Sequence, residues 1–336
     1  MAEIDVSRLK NNVREIRKTV GDNIKICAVV KADAYGHGAV EIARRIENLV
    51  DFFAVALAEE GAELRLCGIT KPVLLLLPTD EFGLERAIRY SLTLSADNLP
   101  YLRKVNAKAL ALKKRATVHL AANTGMNRFG FSKSEFESAC IYAKSLRSIS
   151  VEGVFSHFYN PADGAETDRQ FEKFLYFTQT AKRYFGDIIR HISASGGVMA
   201  GRKYDLDMVR PGLLLYGYKP FEGNAPEVSP ILKVRANVLK RLRVKKGDHL
   251  LYGDFTAEKD EEIILARAGY ADGLRRNGKF SVNNKCMDVC ALRGDADDDG
   301  RITLFSDADA FAEAENTISY EILCGITKRS HFIYKD

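Results

Sequence analysis

The strongest constraint on the fold is an alternation of apolar runs with amphipathic helical patterns over the first two thirds of the chain. Strands that are buried on both faces appear as continuous apolar runs, and their alternation with helices indicates a parallel sheet. Eight such units in about 215 residues match a (β/α)8 barrel of the TIM type. A doubly wound sheet fits less well, because it usually has fewer strands and often a Gly-rich first turn. The eight runs are IKICAVVK, FFAVAL, PVLLLLP, LTLSA, ATVHLAA, VEGVFSHF, IRHISAS and YDLDMVR.

The pattern changes near Ser229. From there to the C-terminus, short β-like runs are separated by turns rich in Gly, Asp and Asn. This composition is typical of a mostly β domain. We therefore predict a barrel over residues 1–222 and a second, mostly β domain over residues 223–336.

Composition excludes several classes of partner. The net charge of +5 over 336 residues is too small to indicate nucleic-acid binding. The N-terminus lacks the apolar segment of a signal peptide, and no window approaches the ~18 apolar residues of a membrane span. The six cysteines form no CxxC pair and no zinc spacing, so we expect reduced thiols. These features predict a cytoplasmic protein without a nucleic-acid, membrane or metal partner.

Lys31 is the first candidate for a functional residue. It follows the apolar residues 26–30, where a charge is costly to desolvate. In a (β/α)8 barrel the active site lies at the C-terminal ends of the strands. A lysine in a partly apolar pocket there can act as a nucleophilic amine. A lysine that only extends from a strand end to solvent remains the alternative for this position taken alone.

Polar residues also follow the later strands of the predicted barrel. Arg128 comes after the fifth strand, and His157 ends the sixth. The last two loops of such barrels often bind phosphate, and here they contain Ser195, Arg210 and the Gly212–Leu213 turn. An amine opposite a phosphate site suggests a phosphorylated aldehyde bound as a Schiff base. Pyridoxal 5'-phosphate is the commonest such ligand, and a Schiff-base aldolase also fits at this point.

Several sequence blocks, taken in order, resemble the alanine racemase family of fold-type III pyridoxal-phosphate enzymes. They are VVKADAYGHG, NTGMNRFGF, FSHF, DMVRPGLLLYG, AGYADGLRR, CMD and ISYEILCGI. The resemblance covers nearly the whole chain. It implies an N-terminal barrel, with the first few residues joining a C-terminal β domain. It also implies a homodimer with shared active sites that interconverts L-alanine and D-alanine, a cell-wall precursor.

The resemblance assigns the catalytic roles. Lys31 would hold the cofactor covalently and act as the base on one face of the substrate. Tyr270 of the partner subunit would be the base on the other face. His157 would lie against the pyridine ring and could polarise the Tyr270 hydroxyl. Arg128 would hold the phenolic oxygen of the cofactor and then the substrate carboxylate, which would also meet the backbone N–H of Met287.

The resemblance likewise assigns the phosphate and pyridine contacts. Tyr35, Ser195, Gly212 and Leu213 would bind the phosphate, and Arg210 would face the pyridine nitrogen. Because arginine only donates hydrogen bonds, Arg210 would leave that nitrogen unprotonated. The ring is then a weaker electron sink, which favours prompt return of the proton and discourages transamination.

Four positions depart from the family pattern. Ala121 stands where a carbamylated lysine often steadies the arginine, and Asn123 stands where an aspartate is common. Ala194 replaces an asparagine, and Lys328 replaces a tyrosine near the phosphate. Because Ala121 offers no charge, we expect a small anion such as chloride beside Arg128, with water and shifted packing as the alternative.

The acidic segment DADDDGRI, residues 295–302, matches the first eight positions of a calcium-binding loop. Position twelve is Ser306, where such loops need a glutamate, and the flanking helices are missing. An acidic hairpin turn is therefore the favoured interpretation, and a calcium site is the alternative.

Other functions remain open from the sequence. A racemase for another amino acid such as serine has the same motifs, since the pocket walls cannot be identified from one sequence. A non-catalytic pyridoxal-phosphate carrier shares the lysine strand but lacks a β domain and an equivalent of Tyr270. A decarboxylase with the same two domains is suggested by Cys286 next to Met287, but AGYADGLRR fits the racemase pattern better.

Overall fold

The computed structural model describes residues 1–252, 255–282, 286–325 and 329–336. Lys328 lies outside the described residues. The chain divides into two compact units. One contains residues 9–34 and 39–229, and the other contains residues 1–8, 35–38 and 230–336.

Strands and helices alternate through the first unit, whereas strands dominate the second. The strands are β1 (Ala2–Asp5), β2 (Lys25–Val29), β3 (Phe52–Val55), β4 (Val73–Leu75), β5 (Thr93–Ala96), β6 (Ala116–Ala121), β7 (Ile149–Phe155), β8 (Ile189–His191), β9 (Met208–Val209), β10 (Leu232–Val244), β11 (Glu261–Ala266), β12 (Cys290–Leu292), β13 (Arg301–Phe305) and β14 (Phe332–Lys335). The helices are α1 (Val6–Val20), α2 (Lys31–Gly36), α3 (Ala39–Ile46), α4 (Ala58–Leu66), α5 (Glu81–Arg89), α6 (Leu99–Ala111), α7 (Lys133–Ser145), α8 (Gly164–Phe185), α9 (Ser195–Ala200), α10 (Ala308–Ala314) and α11 (Ser319–Gly325). Short 3-10 helices span Glu47–Leu49, Arg202–Tyr204, Leu213–Tyr216 and Tyr270–Asp272.

The first unit is the predicted barrel. Strands β2 to β9 form an eight-stranded parallel sheet in the order β8-β7-β6-β5-β4-β3-β2-β9. The two end strands meet where Arg210 N–H donates to the Ser193 carbonyl over 2.9 Å and Asp207 N–H donates to the Arg190 carbonyl over 3.1 Å. Ala194, one of the departures from the family pattern, forms an isolated bridge with Arg210 at this seam. The predicted fold class is therefore confirmed.

The helices outside the barrel begin at residues that favour helix starts. Asp80, Asn98 and Asp163 each accept a hydrogen bond from a backbone N–H in the first turn of α5, α6 and α8. Ser132 and Glu135 form a capping box at the start of α7. The buried face of α3 repeats at the spacing of three and four residues that the barrel surface requires. Among the described helices, none combines the length and apolarity of a membrane span.

The turn α2, which begins at Lys31, is left-handed. Four consecutive residues without a glycine, Ala32 to Tyr35, have φ between 50° and 55°. This conformation costs about 1–2 kcal/mol per residue for L-amino acids. Within the barrel unit, Ala32 N–H donates to Glu60 over 2.6 Å, and the Asp33 carboxylate accepts from Ala39 N–H over 2.7 Å. The turn therefore directs the chain sharply away from the end of β2.

The second unit is built on a mostly antiparallel sheet, in which β1 pairs antiparallel with β10 and parallel with β14. Arg235 of β10 is 8% exposed and binds three carboxylates. These belong to Glu3, Asp297 and Asp299, at 3.1, 2.5 and 2.6 Å. Two of the aspartates that matched a calcium loop therefore bind a guanidinium instead. Asp297 N–H also donates to the Arg301 carbonyl, so the segment forms a tight turn. The turn does not join a hairpin as expected, because β12 pairs with β11 and β13 pairs with β10.

The left-handed turn predicts an unusual response to glycine. Ala32→Gly should raise the free energy of unfolding by about 1 kcal/mol, because glycine adopts positive φ without a steric cost. The matched control is Ala107→Gly on the exposed face of α6. That change should lower the free energy of unfolding by about 1 kcal/mol. Urea unfolding of both variants measures the difference, and an equal loss in both would contradict the left-handed turn.

Candidate active site

Lys31 lies at the C-terminal end of β2, beside the segment that follows β9. Val29 N–H donates to the Pro211 carbonyl over 3.0 Å, and the Tyr216 hydroxyl donates to the Val29 carbonyl over 2.8 Å. These bonds hold the end of β2 against residues 211–216. The structure therefore brings Lys31 to the same edge of the barrel as the predicted phosphate loop.

The predicted phosphate loop forms a cluster of hydrogen-bond donors. Ser195, the first residue of α9, is buried. Its Oγ accepts from the N–H groups of Gly212 and Leu214 at 3.0 and 3.3 Å. The neighbouring N–H of Leu213, also buried, has no acceptor within the described part of the chain. A hydroxyl and several converging N–H groups suit a phosphate monoester, so the residues present fit the phosphate of pyridoxal phosphate.

Arg210 is a buried cation at the barrel seam, 3% exposed. Its Nη1 donates to His191 Nδ1 over 2.7 Å, and its Nη2 donates to the Ser156 carbonyl over 2.8 Å. Nη2 also lies 3.3 Å from both the Ile192 carbonyl and His157 Nδ1. No carboxylate of the described residues pairs with it. Burial lowers the pKa of Arg210 to about 10, so the side chain stays protonated at neutral pH.

His157 is held as a neutral imidazole. Burial, followed by the charges of Arg210, Arg128 and Lys31, lowers its pKa to about 3. Because Arg210 can only donate, His157 Nδ1 must accept, and the ring proton therefore lies on Nε2. His157 thus offers one N–H donor. Of the three cations that lower this pKa, Arg210 is in direct contact with the ring.

Arg128 is exposed, and its guanidinium lies over the Phe129 ring at 5.0 Å. Partial burial of the guanidinium nevertheless lowers the pKa of Arg128, so part of the desolvation cost from which the expected anion was argued is present. A cavity of about 20 Å³ does lie beside Ala121, Asn123 and Arg128, and about 10–15 Å³ is enough for one water. Asn123 itself organises the loop, since its Oδ1 accepts from the N–H of Asn127 over 3.2 Å. The anion stays a prediction, which a chloride dependence of activity at fixed ionic strength would test.

Tyr270 and Met287 belong to the second unit. Tyr270 is 51% exposed and begins a 3-10 turn whose first N–H donates to the Met287 carbonyl over 3.0 Å. A Cβ on Gly269 would lie 1.4 Å from the same carbonyl oxygen, so only glycine allows the two loops to approach. The sequence blocks AGYADG and CMD are therefore brought together.

Tyr35 also belongs to the second unit, where it is buried. Its ring packs edge-to-face against Tyr320 at 5.2 Å, and burial raises the pKa of its hydroxyl. In the same unit the structure joins Cys286 and Cys290 in a disulfide. The expectation of six reduced thiols is therefore wrong for this pair.

Sequence reasoning missed the residues behind Arg210. His191 contacts Arg210, and His119 contacts His191 and Glu152. The available signal was a histidine inside each of two apolar runs, ATVHLAA and IRHISAS. The signal did not identify the partners of these two histidines, because those partners depend on the register of the closed sheet.

Comparison with known proteins gives one family for both units. The N-terminal domain model of alanine racemase matches residues 4–220, and the C-terminal domain model matches residues 231–334. Alanine racemase 2 of Caldanaerobacter subterraneus subsp. tengcongensis is 34% identical, with 99% of this chain and 94% of that protein covered. The alanine racemase of Clostridium perfringens (strain ATCC 13124) is 35% identical, covering 99% of this chain and 95% of that protein.

Solved structures agree with this result. The alanine racemase of Clostridium difficile 630 has a TM-score of 0.94 at 34% identity, covering 99% of this chain and 95% of that chain. The alanine racemase of a D-cycloserine-producing Streptomyces lavendulae has a TM-score of 0.90 at 28% identity, covering 100% and 96%.

The low pKa of His157 predicts acid-sensitive stability. The unfolded chain binds a proton on this histidine near pH 6.5, whereas the folded chain does so only near pH 3. Stability should therefore fall as the pH drops through that window, because the unfolded state binds more protons. Between pH 7 and pH 5 this histidine should contribute a loss of about 2 kcal/mol in the free energy of unfolding.

Denaturant unfolding of the wild type and of His157→Gln at both pH values measures this contribution. The loss on acidification should be smaller in the variant by that amount. Equal losses in the two proteins would show that His157 titrates normally in the folded chain.

Proposed function

Because this chain belongs to the alanine racemase family, we propose that it is a pyridoxal-phosphate-dependent enzyme that interconverts L-alanine and D-alanine. The observation that carries the proposal is one barrel edge with Lys31 at a strand end and the donor cluster of Ser195, Gly212 and Leu213 beside it. An amine and a phosphate site at one edge are what a phosphorylated aldehyde cofactor requires.

Racemisation needs a proton acceptor on each face of Cα. When bound, pyridoxal phosphate stabilises negative charge at that carbon. Lys31 Nζ would hold the cofactor and then remove or return the proton on one face. Tyr270 of the partner subunit would do the same on the other face through its phenolic oxygen. The half-exposed Tyr270 side chain is available for this role in a symmetric dimer.

Arg210 and His157 would each donate one hydrogen bond in the active site. Arg210 would donate to the pyridine nitrogen and leave it unprotonated, since a guanidinium has no acceptor. This limits delocalisation into the ring and favours prompt return of the proton to Cα. His157 Nε2–H would donate to the phenolic oxygen of Tyr270 of the partner subunit, and it would thereby stabilise the charged form of that base.

The substrate carboxylate would meet Arg128 and the N–H of Met287. Both groups donate hydrogen bonds, and Arg128 has no competing carboxylate among the described residues. Alanine is the substrate named for the relatives, and other amino acids such as serine are the alternative. A panel of L-amino acids, assayed for D-isomer formation in the presence of pyridoxal phosphate, separates the two.

The role of Tyr270 predicts a large catalytic loss on removing one hydroxyl. Tyr270→Phe should lower kcat by about 10²–10⁴-fold, because a general base is lost. The matched control is Tyr184→Phe, which removes a hydroxyl that donates to Glu137 on the outside of the barrel. The control should retain wild-type kcat. Near-normal racemisation by Tyr270→Phe would exclude it as a base.

The same variants test whether the sites are shared. A mixture of inactive Lys31→Ala and inactive Tyr270→Phe subunits should regain activity, because one site of the heterodimer holds both bases. The absence of recovery after confirmed subunit exchange would show that each site is built within one chain.

A further inference from the structure

The contact between Arg210 and His191 continues as a chain of hydrogen bonds through the barrel interior. His191 Nε2 lies 2.8 Å from His119 Nδ1, and His119 Nε2 lies 3.1 Å from Glu152 Oε2. Both histidines are fully buried, whereas the Glu152 side chain is 35% exposed. The chain therefore links the guanidinium at the active-site edge to a carboxylate that reaches solvent.

The two ends of this hydrogen-bond chain, Arg210 and the Glu152 carboxylate, require the same proton positions. A guanidinium can only donate, so His191 Nδ1 must accept, and the His191 proton lies on Nε2. That proton can only be donated to His119 Nδ1, which must therefore be an acceptor. The His119 proton then lies on Nε2 and is donated to Glu152. Each bond of the chain runs in one direction, from Arg210 to the carboxylate.

The same reasoning excludes a charge on either histidine. A protonated His119 would place an N–H on Nδ1, facing the N–H of His191, and would break their bond. A protonated His191 would place an N–H on Nδ1, facing Arg210. Burial, followed by the charge of Arg210, lowers the pKa of His191 well below its usual value, which agrees with a neutral ring.

We propose that Glu152 is a positioning residue for Arg210 and acts on it through His119 and His191. The proposal rests on the function proposed above, because it concerns the group that would face the pyridine nitrogen. Glu152 supplies the acceptor that ends the chain and the negative charge that Arg210 lacks at close range. Glu152 and Arg210 together fix both histidine tautomers, and the fixed Nδ1 of His191 holds the plane of the Arg210 guanidinium.

Two substitutions of Glu152 distinguish the effect of its acceptor oxygen from the effect of its side-chain volume. Glu152→Gln retains an oxygen that can accept from His119, so the direction of the chain should survive. Glu152→Leu has a similar volume but no acceptor. The N–H of His119 is then unsatisfied, which is costly in a buried position. The two rings should lose their single tautomer, and Arg210 should lose its fixed partner.

The first measurement needs neither cofactor nor activity. Long-range 1H–15N spectra of protein labelled with 15N-histidine report the tautomer of each ring. Variants lacking His119 or His191 assign the signals. The wild type should show both rings neutral, with the proton on Nε2, and Glu152→Gln should show the same. A cationic ring, or a proton on Nδ1 of His191 or His119 in the wild type, would overturn the proposal.

The second measurement is kcat for racemisation. Glu152→Leu should lose about tenfold, because a displaced Arg210 misplaces the reacting groups, and Glu152→Gln should recover most of it. The control is Glu47→Leu. The Glu47 carboxylate accepts from the N–H groups of Thr70 and Lys71 and is not part of this series of hydrogen bonds. This variant should keep wild-type kcat. The proposal would be overturned if Glu152→Leu kept wild-type activity, or if it lost activity while both histidine tautomers stayed unchanged. Absence of racemisation in the wild type would instead reject the proposed function, and the tautomer measurement would still test the role of Glu152.

Discussion

The buried guanidinium of Arg210 is the interaction on which the candidate site depends. A cation removed from water is expensive unless its donors are satisfied, and here the acceptors come from the ends of β7 and β8. Its ring neighbour, Phe155, adds a cation–π contact at 5.6 Å. Because Arg210 follows β9, these bonds also join the two ends of the eight-stranded sheet. The seam of the barrel and the electrostatics of the site are therefore set by one side chain.

The neutrality of the surrounding rings follows from this charge. Arg210 forces Nδ1 of both His157 and His191 to accept a hydrogen bond. Each ring therefore carries one proton, on Nε2, and donates from that atom. A neutral His157 beside the site can donate to an incoming oxygen but adds no positive charge there. The positive charge near the reacting groups then comes from Lys31, Arg128 and Arg210. The left-handed turn after Lys31 adds backbone strain at the same edge, as is common at functional sites.

Much of this arrangement could be predicted from the sequence, since apolar runs and strand ends are local features. The eight strands, Lys31, Ser195 and Arg210 all lie where alternation and barrel geometry place them. The left-handed turn could not be predicted, because ADAY contains no glycine to signal positive φ. The acidic loop matched a calcium pattern through the spacing of its aspartates. Their actual partner could not be predicted, because Arg235 lies about sixty residues away in sequence. That pairing depends on the sheet register between β10 and β13.

The central claim is that Lys31, at the barrel edge organised by Arg210, holds the cofactor. Borohydride reduction of the protein loaded with pyridoxal phosphate, followed by peptide mapping, tests it most directly. The pyridoxyl mass should lie on the peptide that contains Lys31, and Lys31→Ala should lose that label. Label on another lysine, or no label on the loaded wild type, would contradict the account.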